Sequence, residues 1–341
     1  MDTYKYHTPG SIREAIQLAA GLEDAFYIAG GTDIMSLVKQ GKLKPKHLVS
    51  LKDISDMTDI VKHNGLRLGS GVALNDIENN HIVLKYYTAF CDAANNLSTR
   101  QKRKSATLGG AVLNATLSDC IAVPLLLFDA HVSVAGIDPA TLPTGEGVKG
   151  GFLYGNIVTF ENFFLSPGKT ILKNSELVKD FYMQSVSFDS DVGSAYIKLT
   201  RGKTLDLAMT GIGASIAIKA PVGLSSCIDA LATMDSMPDI VTRFEDEGLQ
   251  FEHVRFVVGT VKQGPKRIRT AESVLQDKTI SKKAIDEITE IIAAETKMKN
   301  NTKCDQWYRK EMIKLLVNRV LLKSIDRLIR AEEPVHPEKT W

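Results

Sequence analysis

Two hydrophobic periods alternate along the chain. Ile12, Ile16 and Ala19 share one face at helical spacing, and Ser11 stands three residues before Glu14, the spacing of a capping box, so a helix is predicted over 12–19. The apolar run Ala25-Phe26-Tyr27-Ile28 then reads as a short strand that enters Ala29-Gly30-Gly31-Thr32-Asp33, after which Ile34, Leu37 and Val38 return to helical spacing. Further strands are predicted at 47–51 and 66–71, followed by a helix capped at Asn75 or Asp76 and a mixed helix over 86–97. Residues 121–130 read as a buried helix and 131–135 as the strand after it.

Residues 136–155, rich in glycine and carrying Pro139 and Pro143, are expected to form a long loop. Beyond them, strands at 194–199, 208–219 and 253–261 precede helical patterns at 269–275, 282–297 and 307–328. Strands first and helices later indicate an α+β domain. A chain of 341 residues exceeds one typical core, so two domains with a split first one are expected: 1–57 and 58–185, then 186–341.

Composition narrows the function classes. A net charge of +2, with 24% charged and 44% hydrophobic residues, provides no field that would recruit nucleic acid, which is not an expected partner. No stretch approaches 18 apolar residues and the first residues lack a basic region followed by an apolar one, so no membrane span and a cytoplasmic location are expected. Cys91, Cys120, Cys227 and Cys304 lie far apart without a CxxC pairing, which argues against a zinc knuckle or an iron–sulfur cluster in this chain. The seven histidines have no metal-ligand spacing, and no Ser/His/Asp or Cys/His pairing offers acid–base machinery for a substrate.

The chemistry concentrates in two glycine pairs, Ala29-Gly30-Gly31-Thr32-Asp33 and Thr107-Leu108-Gly109-Gly110. Glycine lets backbone N–H groups approach a ligand with no Cβ in the way, and a helix N-terminus adds partial positive charge. Each turn therefore suits a phosphate, and the two together suit a dinucleotide diphosphate. The first turn lacks GxGxxG spacing but offers consecutive donors plus the Thr32 hydroxyl, a nest for phosphate oxygens. Asp33 would repel a phosphate, so an N-cap role is expected for it. The second turn leads to Asn114, Thr116, Ser118 and Asp119; Asp119 either accepts hydrogen bonds from ribose hydroxyls or, with Ser118, caps the helix that starts near Ile121. Just upstream, Arg100-Gln101-Lys102-Arg103-Lys104 is either a solvated turn or an aid to anion attraction.

Taken in order, Ala29-Gly30-Gly31-Thr32-Asp33, Leu66-Arg67-Leu68-Gly69 and Thr107-Leu108-Gly109-Gly110 with Ser118-Asp119 resemble the FAD-binding medium subunit of molybdenum hydroxylases, the xanthine dehydrogenase and carbon monoxide dehydrogenase type. Phe163-Phe164, Glu176-Leu177-Val178, Tyr196-Ile197-Lys198 with Arg201 and Asp206, Arg269-Thr270-Ala271-Glu272 and Trp307-Tyr308-Arg309-Lys310-Glu311-Met312 extend the resemblance over nearly the whole chain. It implies an α+β protein: a split vanillyl-alcohol-oxidase/PCMH-type FAD-binding domain (1–57 and 58–185), then a C-terminal α+β domain (186–341) of antiparallel sheet plus helices closing over the flavin.

The resemblance further implies that Ile28, Ala29, Gly30, Gly31, Thr32 and Asp33, with Thr107, Leu108, Gly109 and Gly110, hold the diphosphate of FAD. Asn114, Ser118 and Asp119 belong to the same site, Asp119 on the adenosine side, and Val178 and Lys198 match positions near the flavin. A lysine there would stabilise negative charge on reduced flavin; otherwise Lys198 is a strand lysine pointing to water. Ala111 and Leu117 stand where the family carries Asn and Pro. The partners implied are a large molybdopterin-binding subunit with the molybdenum cofactor, a small subunit with [2Fe–2S] clusters, and an acceptor such as NAD, a quinone or another carrier. The function implied is electron transfer through FAD within such a complex. Two alternatives share the motifs: a stand-alone flavin-dependent oxidoreductase, and a scaffold subunit with impaired flavin binding. A bulky residue at Gly30 or Gly109 is expected to expel FAD and leave most of the fold intact.

Overall fold

Local chemistry sets the first elements. Helix α1 (Ile12–Gly21) starts at an extended Ser11 whose hydroxyl accepts the Glu14 N–H at 3.2 Å. The return bond reaches one residue further out than a capping box, because Glu14 Oε2 accepts the Gly10 N–H at 2.9 Å. The computed structural model describes residues 3–114, 120–137, 153–166, 168–173, 176–184, 192–200, 209–219, 237–259, 264–296 and 306–330. After α1 come α2 (Ile34–Lys39), α3 (Leu74–Asn79), α4 (His81–Tyr86), α5 (Thr88–Asn95), α6 (Arg100–Arg103), α7 (Leu108–Leu113), α8 (Ala122–Leu127) and α9 (Phe160–Phe163). The later helices are α10 (Met237–Asp246), α11 (Arg269–Leu275), α12 (Lys282–Glu295) and α13 (Gln306–Ile329).

Three elements differ from the sequence expectation. Asn75 and Asp76 lie inside α3, which starts at Leu74 because that residue's N–H donates to Ala106 O at 2.9 Å. The helix expected over 86–97 is two, α4 and α5, parted at Tyr87 (φ −132°, ψ 45°), where the turn buries the ring edge-on against Phe128 at 4.9 Å. The basic run forms a helical turn, α6, with Thr99 Oγ1 accepting the Lys102 N–H at 3.3 Å and Arg103 buried while Arg100, Lys102 and Lys104 stay exposed.

The chain folds into two compact units that interleave in sequence: Met1–Asp76, Thr99–Ala115 and Asp129–Gln184 form unit 1, and Ile77–Ser98, Thr116–Phe128 and Ser185–Trp341 form unit 2. Ile77–Ser98 and Thr116–Phe128, read from sequence as part of 58–185, thus group with the C-terminal portion. The cause is apolar: α5 and α8 pack on the sheet of unit 2, and Phe90 and Phe128 stack at 6.1 Å.

Unit 1 contains a parallel sheet of β1 (Lys5–His7), β2 (Ala25–Ile28) and β3 (His47–Ser50), in the order β1-β3-β2. A second, antiparallel sheet follows, built from β4 (Ile60–Lys62), β5 (Gly65–Gly69), β6 (His131–Ile137), β7 (Leu153–Thr159) and, after the short pair β8 (Phe164–Ser166) and β9 (Lys169–Thr170), β10 (Glu176–Gln184). Its order is β4-β5-β10-β6-β7. Most of the loop expected over 136–155 lies outside the described residues, and β6 and β7 frame it by running to Ile137 and from Leu153. Ile12 and Ile16 of α1 meet Val49, Ile54, Met57, Ile137 and Leu177 in one apolar cluster, which fixes β2 and the turn after it.

Unit 2 is a four-stranded antiparallel sheet of β11 (Val192–Leu199), β12 (Thr210–Lys219), β13 (Gln250–Gly259) and β14 (Lys266–Arg267), covered by helices. Val317, Val320, Leu321, Ile325 and Leu328 of α13 join its core. α5 runs along β11 and is pinned at three points. The Thr88 hydroxyl donates to Ser194 O, the Tyr196 N–H donates to Asp92 Oδ2 at 2.9 Å, and Lys198 Nζ donates to Asn96 O at 2.8 Å. Four helical residues advance about 6 Å and two strand residues about 6.6 Å, so 88, 92 and 96 match 194, 196 and 198 rung for rung.

The middle rung carries charge. Arg327 of α13 grips Asp92 through two bonds of 2.6 and 2.8 Å and reaches Ser194 O at 2.8 Å, while Lys323 joins Asp92 at 3.1 Å. Asp92 is 2% exposed and Arg327 5%. Burial pushes the Lys323 ammonium below its usual pKa, and Asp92 pulls the other way. Asp92→Ala would leave two cations without their carboxylate, at a cost of about 3–5 kcal/mol. Calorimetry should therefore show an early transition for unit 2 in this variant, and an unchanged thermogram would contradict the assignment.

Candidate functional site

The first glycine turn follows β2 directly, with Leu51 N–H holding Ile28 O at 2.8 Å at the strand's end. Gly31 takes φ +71°, the left-handed region, and reverses the chain before α2. The backbone N–H groups of Gly30, Gly31, Thr32 and Asp33 make no hydrogen bond to another described residue. Gly30, Gly31 and Thr32 are half-buried and Asp33 is exposed, so these donors form a consecutive run on an accessible turn.

Asp33 sits at the cap position of α2 but does not cap it. Its Oδ2 instead accepts from Asn114 Nδ2 at 3.1 Å, which ties the start of α2 to the end of α7. A corrected role follows: Asp33 joins the two turns. The turns also meet through backbone, since a Cβ on Gly30 would lie 1.7 Å from Ser105 O and 3.2 Å from Ala106 Cα.

The second turn is built differently from the expectation. Thr107 caps α7, its Oγ1 accepting the Gly110 N–H at 3.2 Å, as its sequence position suggests. Leu108 N–H donates to Val72 O at 2.9 Å, Gly109 N–H to Ser70 O at 2.7 Å and Ala111 N–H to Thr107 O at 2.9 Å. The amides of 108 to 111 are thus committed inside the protein, and Gly109 is needed because a Cβ there would stand 2.8 Å from Ser70 Cβ. Amide donors do not converge from both turns in this structure: the first turn presents them and the second supports it.

Sequence reasoning missed Ser70 and Ser105. Ser70 is 5% exposed; its hydroxyl donates to Val178 O at 2.6 Å and its N–H to Lys179 O at 2.9 Å. A register shift in β10 between Val178 and Asp180 accompanies this link. Val178 is buried and paired with Val134, joined through Ser70 to Gly109. The only signal was the flanking of Ser70 by Gly69 and Gly71, whose Cβ positions would crowd Met57 O. Lys198 lies in unit 2 on the last rung of the α5 ladder, its ammonium engaged by the Asn96 carbonyl. Ser118, Asp119, Leu117, Arg201 and Asp206 lie outside the described residues.

A diphosphate requires several donors in a row within reach of solvent. The Gly30–Asp33 run meets that demand, and exposed Lys104 immediately precedes the Ser105 that abuts Gly30. The turn therefore fits the phosphate part of a dinucleotide cofactor.

Comparison with known proteins settles the family. Residues 2–144 match the family described as FAD binding domain in molybdopterin dehydrogenase, and residues 195–324 match the CO dehydrogenase flavoprotein C-terminal domain. The chain belongs to the flavoprotein subunits of the molybdopterin dehydrogenases. It is 22% identical over 326 residues to a xanthine dehydrogenase FAD-binding subunit of Escherichia coli O157:H7, covering 95% of this chain and 97% of the relative. To the carbon monoxide dehydrogenase medium chain of Hydrogenophaga pseudoflava it is 26% identical over 61% of this chain and 67% of the relative.

Solved structures agree on the fold. A chain of carbon monoxide dehydrogenase from Hydrogenophaga pseudoflava superposes with a TM-score of 0.75 at 22% identity, covering 96% of this chain and 98% of that one. A chain of quinoline 2-oxidoreductase from Pseudomonas putida 86 gives 0.76 at 18% identity, with 96% and 99% covered. This family is an oxidoreductase family, and its FAD-binding domain includes both glycine turns. Among the described residues no helix is long and apolar enough to cross a membrane.

The geometry changes the expected outcome of substituting Gly30. Its Cβ direction points into backbone, so Gly30→Ala should disrupt unit 1 itself and remove cofactor binding as a result. Proteolysis of unit 1 in the folded chain should become faster, and a Gly30→Ala protein with native protease resistance and no cofactor would reverse this reading.

Proposed function

We propose that the chain carries FAD on the Gly30–Asp33 turn and serves as the electron-transfer subunit of a cytoplasmic molybdenum hydroxylase complex. The observation that carries this reading is the run of backbone N–H donors left without partners among the described residues. The matched FAD-binding domain and the subunit names of the relatives support it. The complex would comprise a large molybdopterin-binding subunit, a small [2Fe–2S] subunit and this chain.

In this scheme Ile28 to Asp33 hold the diphosphate. Thr107 to Gly110, their amides engaged elsewhere, keep that turn in shape through Ser105, Ala106 and Asn114. Asn114, Ser118 and Asp119 complete the nucleotide side, and Val178, held by Ser70, the flavin side. Bound FAD supplies hydride and single-electron transfer, which no side chain of the protein can supply. Electrons would leave to NAD, a quinone or another carrier.

Lys198 contributes a cation whose place is fixed by the carbonyl end of α5. A fixed positive charge favours negative charge on reduced flavin, so Lys198→Met should lower the flavin reduction potential while FAD stays bound. Photoreduction against a reference dye measures this, and an unaltered potential removes the role.

The purified complex should release about one FAD per chain on acid treatment, leaving none on the precipitated protein because neither glycine motif contains a cysteine or histidine. Substrate should reduce this flavin only when the other subunits are present. Reduction by the isolated chain would favour a stand-alone flavoenzyme, and no uptake of FAD on reconstitution would favour a scaffold; either result overturns the proposal.

A further inference from the structure

Proteins protect the outer edges of their sheets by keeping edge strands short, charging them or covering them with a helix. Most edge strands of this chain follow that rule. Strands β1, β2, β4, β8, β9 and β14 have two to four residues each, and β11 has α5 alongside, whose Asp92 accepts the Tyr196 N–H. Strand β7 does not follow it. It ends the five-stranded sheet, runs for seven residues and has no charged side chain in Leu153-Tyr154-Gly155-Asn156-Ile157-Val158-Thr159. Ile157 is 76% exposed, the most exposed large hydrophobic side chain among the described residues.

The ladder with β6 fixes which backbone groups of β7 face outward. Phe160 N–H donates to Ala130 O at 2.7 Å, in line with the register that pairs Val158 with Val132 and Asn156 with Val134. Antiparallel pairs alternate between bonded and non-bonded, so Tyr154, Asn156 and Val158 bond β6, while Leu153, Gly155, Ile157 and Thr159 turn their N–H and C=O groups to the outer edge. The N–H groups of Gly155, Ile157 and Thr159 make no hydrogen bond to a described residue outside that ladder, and all three residues are exposed.

We propose that β7 pairs with β7 of a second copy of this chain, antiparallel about Asn156, so that the two sheets become one continuous sheet. The strand's own sequence selects this occupant. With the two-fold axis at Asn156, Gly155 falls opposite Ile157 and Leu153 opposite Thr159, so the outward groups of one copy meet those of the other in about eight backbone hydrogen bonds. Gly155 has room where a Cβ would stand, the nearest atom being Val134 O at 3.9 Å, and Ile157 of the other copy would cover that bare backbone. On the opposite face Tyr154 meets Val158, an aromatic and β-branched pair, and the two Asn156 carboxamides face each other, donor to acceptor. No like charges oppose one another along the strand. An axis at Gly155 or at Ile157 would shorten the ladder and set glycine against glycine or isoleucine against isoleucine. The inference does not depend on the flavin reading, since β7 shares no residue with the glycine turns.

The test is sedimentation velocity on the purified full-length chain over a concentration series, in which wild type should pass from monomer to dimer. Ile157→Lys puts a charge on the seam at a position that already faces water, and should weaken dimerisation about tenfold or more while the circular dichroism stays that of wild type. Asn156→Cys sets two thiols opposite each other at a non-bonded pair. Mild oxidation should link it into a dimer faster than wild type and faster than Ile157→Cys, whose counterpart lies diagonally across the ladder. Amide exchange in the dimer should slow at Gly155, Ile157 and Thr159 and stay unchanged at Asn156 and Val158, which already bond β6.

A chain that is monomeric throughout the series, or a dimer that Ile157→Lys leaves as tight as before, would overturn the inference and leave the flavin reading standing. Slowing of exchange at those three amides only on addition of a different subunit would also overturn it, because the edge would then belong to that subunit.

Discussion

The passage of the Gly30 backbone against the carbonyl of Ser105 holds the candidate site together. No side chain fits between them, and that lets two segments of unit 1, 75 residues apart in sequence, meet at one corner. Once they are in contact, Asp33 and Asn114 can bond, which holds a turn whose amides have no partner among the described residues. Gly109 does the same against Ser70, and Ser70 extends the connection to β10 at Val178. One glycine of each pair, Gly30 and Gly109, thus serves close packing of the chain first. Ligand binding is open to one turn because the other has its hydrogen bonds satisfied.

Much of this was legible in the chain. Ser11 and the spacing of Ile12 and Ile16 announced α1, and the run from Ala25 to Ile28 announced β2. These are local signals, written within a few residues. The role of Asp33 was misread because its partner lies 81 residues away, and Ser70 was passed over because its acceptor at Val178 is 108 residues distant. The start of α3 depends on Ala106, 32 residues on from Leu74 and also beyond the reach of local pattern. Short-range pattern finds elements, whereas hydrogen bonds between distant segments decide which polar groups are left for a ligand.

The division of labour between the two units follows from composition as well as contact. Unit 1 exposes a turn whose N–H donors have no partner among the described residues, a feature suited to meeting another molecule. Unit 2 is a sheet buried almost throughout β12 and bolted to its helices by a salt-linked cluster at Asp92. Family membership accounts for the pairing of such units in one oxidoreductase subunit.

The rungs between α5 and β11 carry an implication for how this chain can change over time. A helix advances its contact face by four residues while a strand advances by two, so one inserted or deleted residue would turn the helix by about 100° relative to its track, or flip the strand's side chains to the other face. All rungs beyond that point would lose their partners at once, including the one that holds Lys198. Side chains along this seam can be exchanged singly, but its length is locked, and gaps in related chains should be confined to the connecting segments.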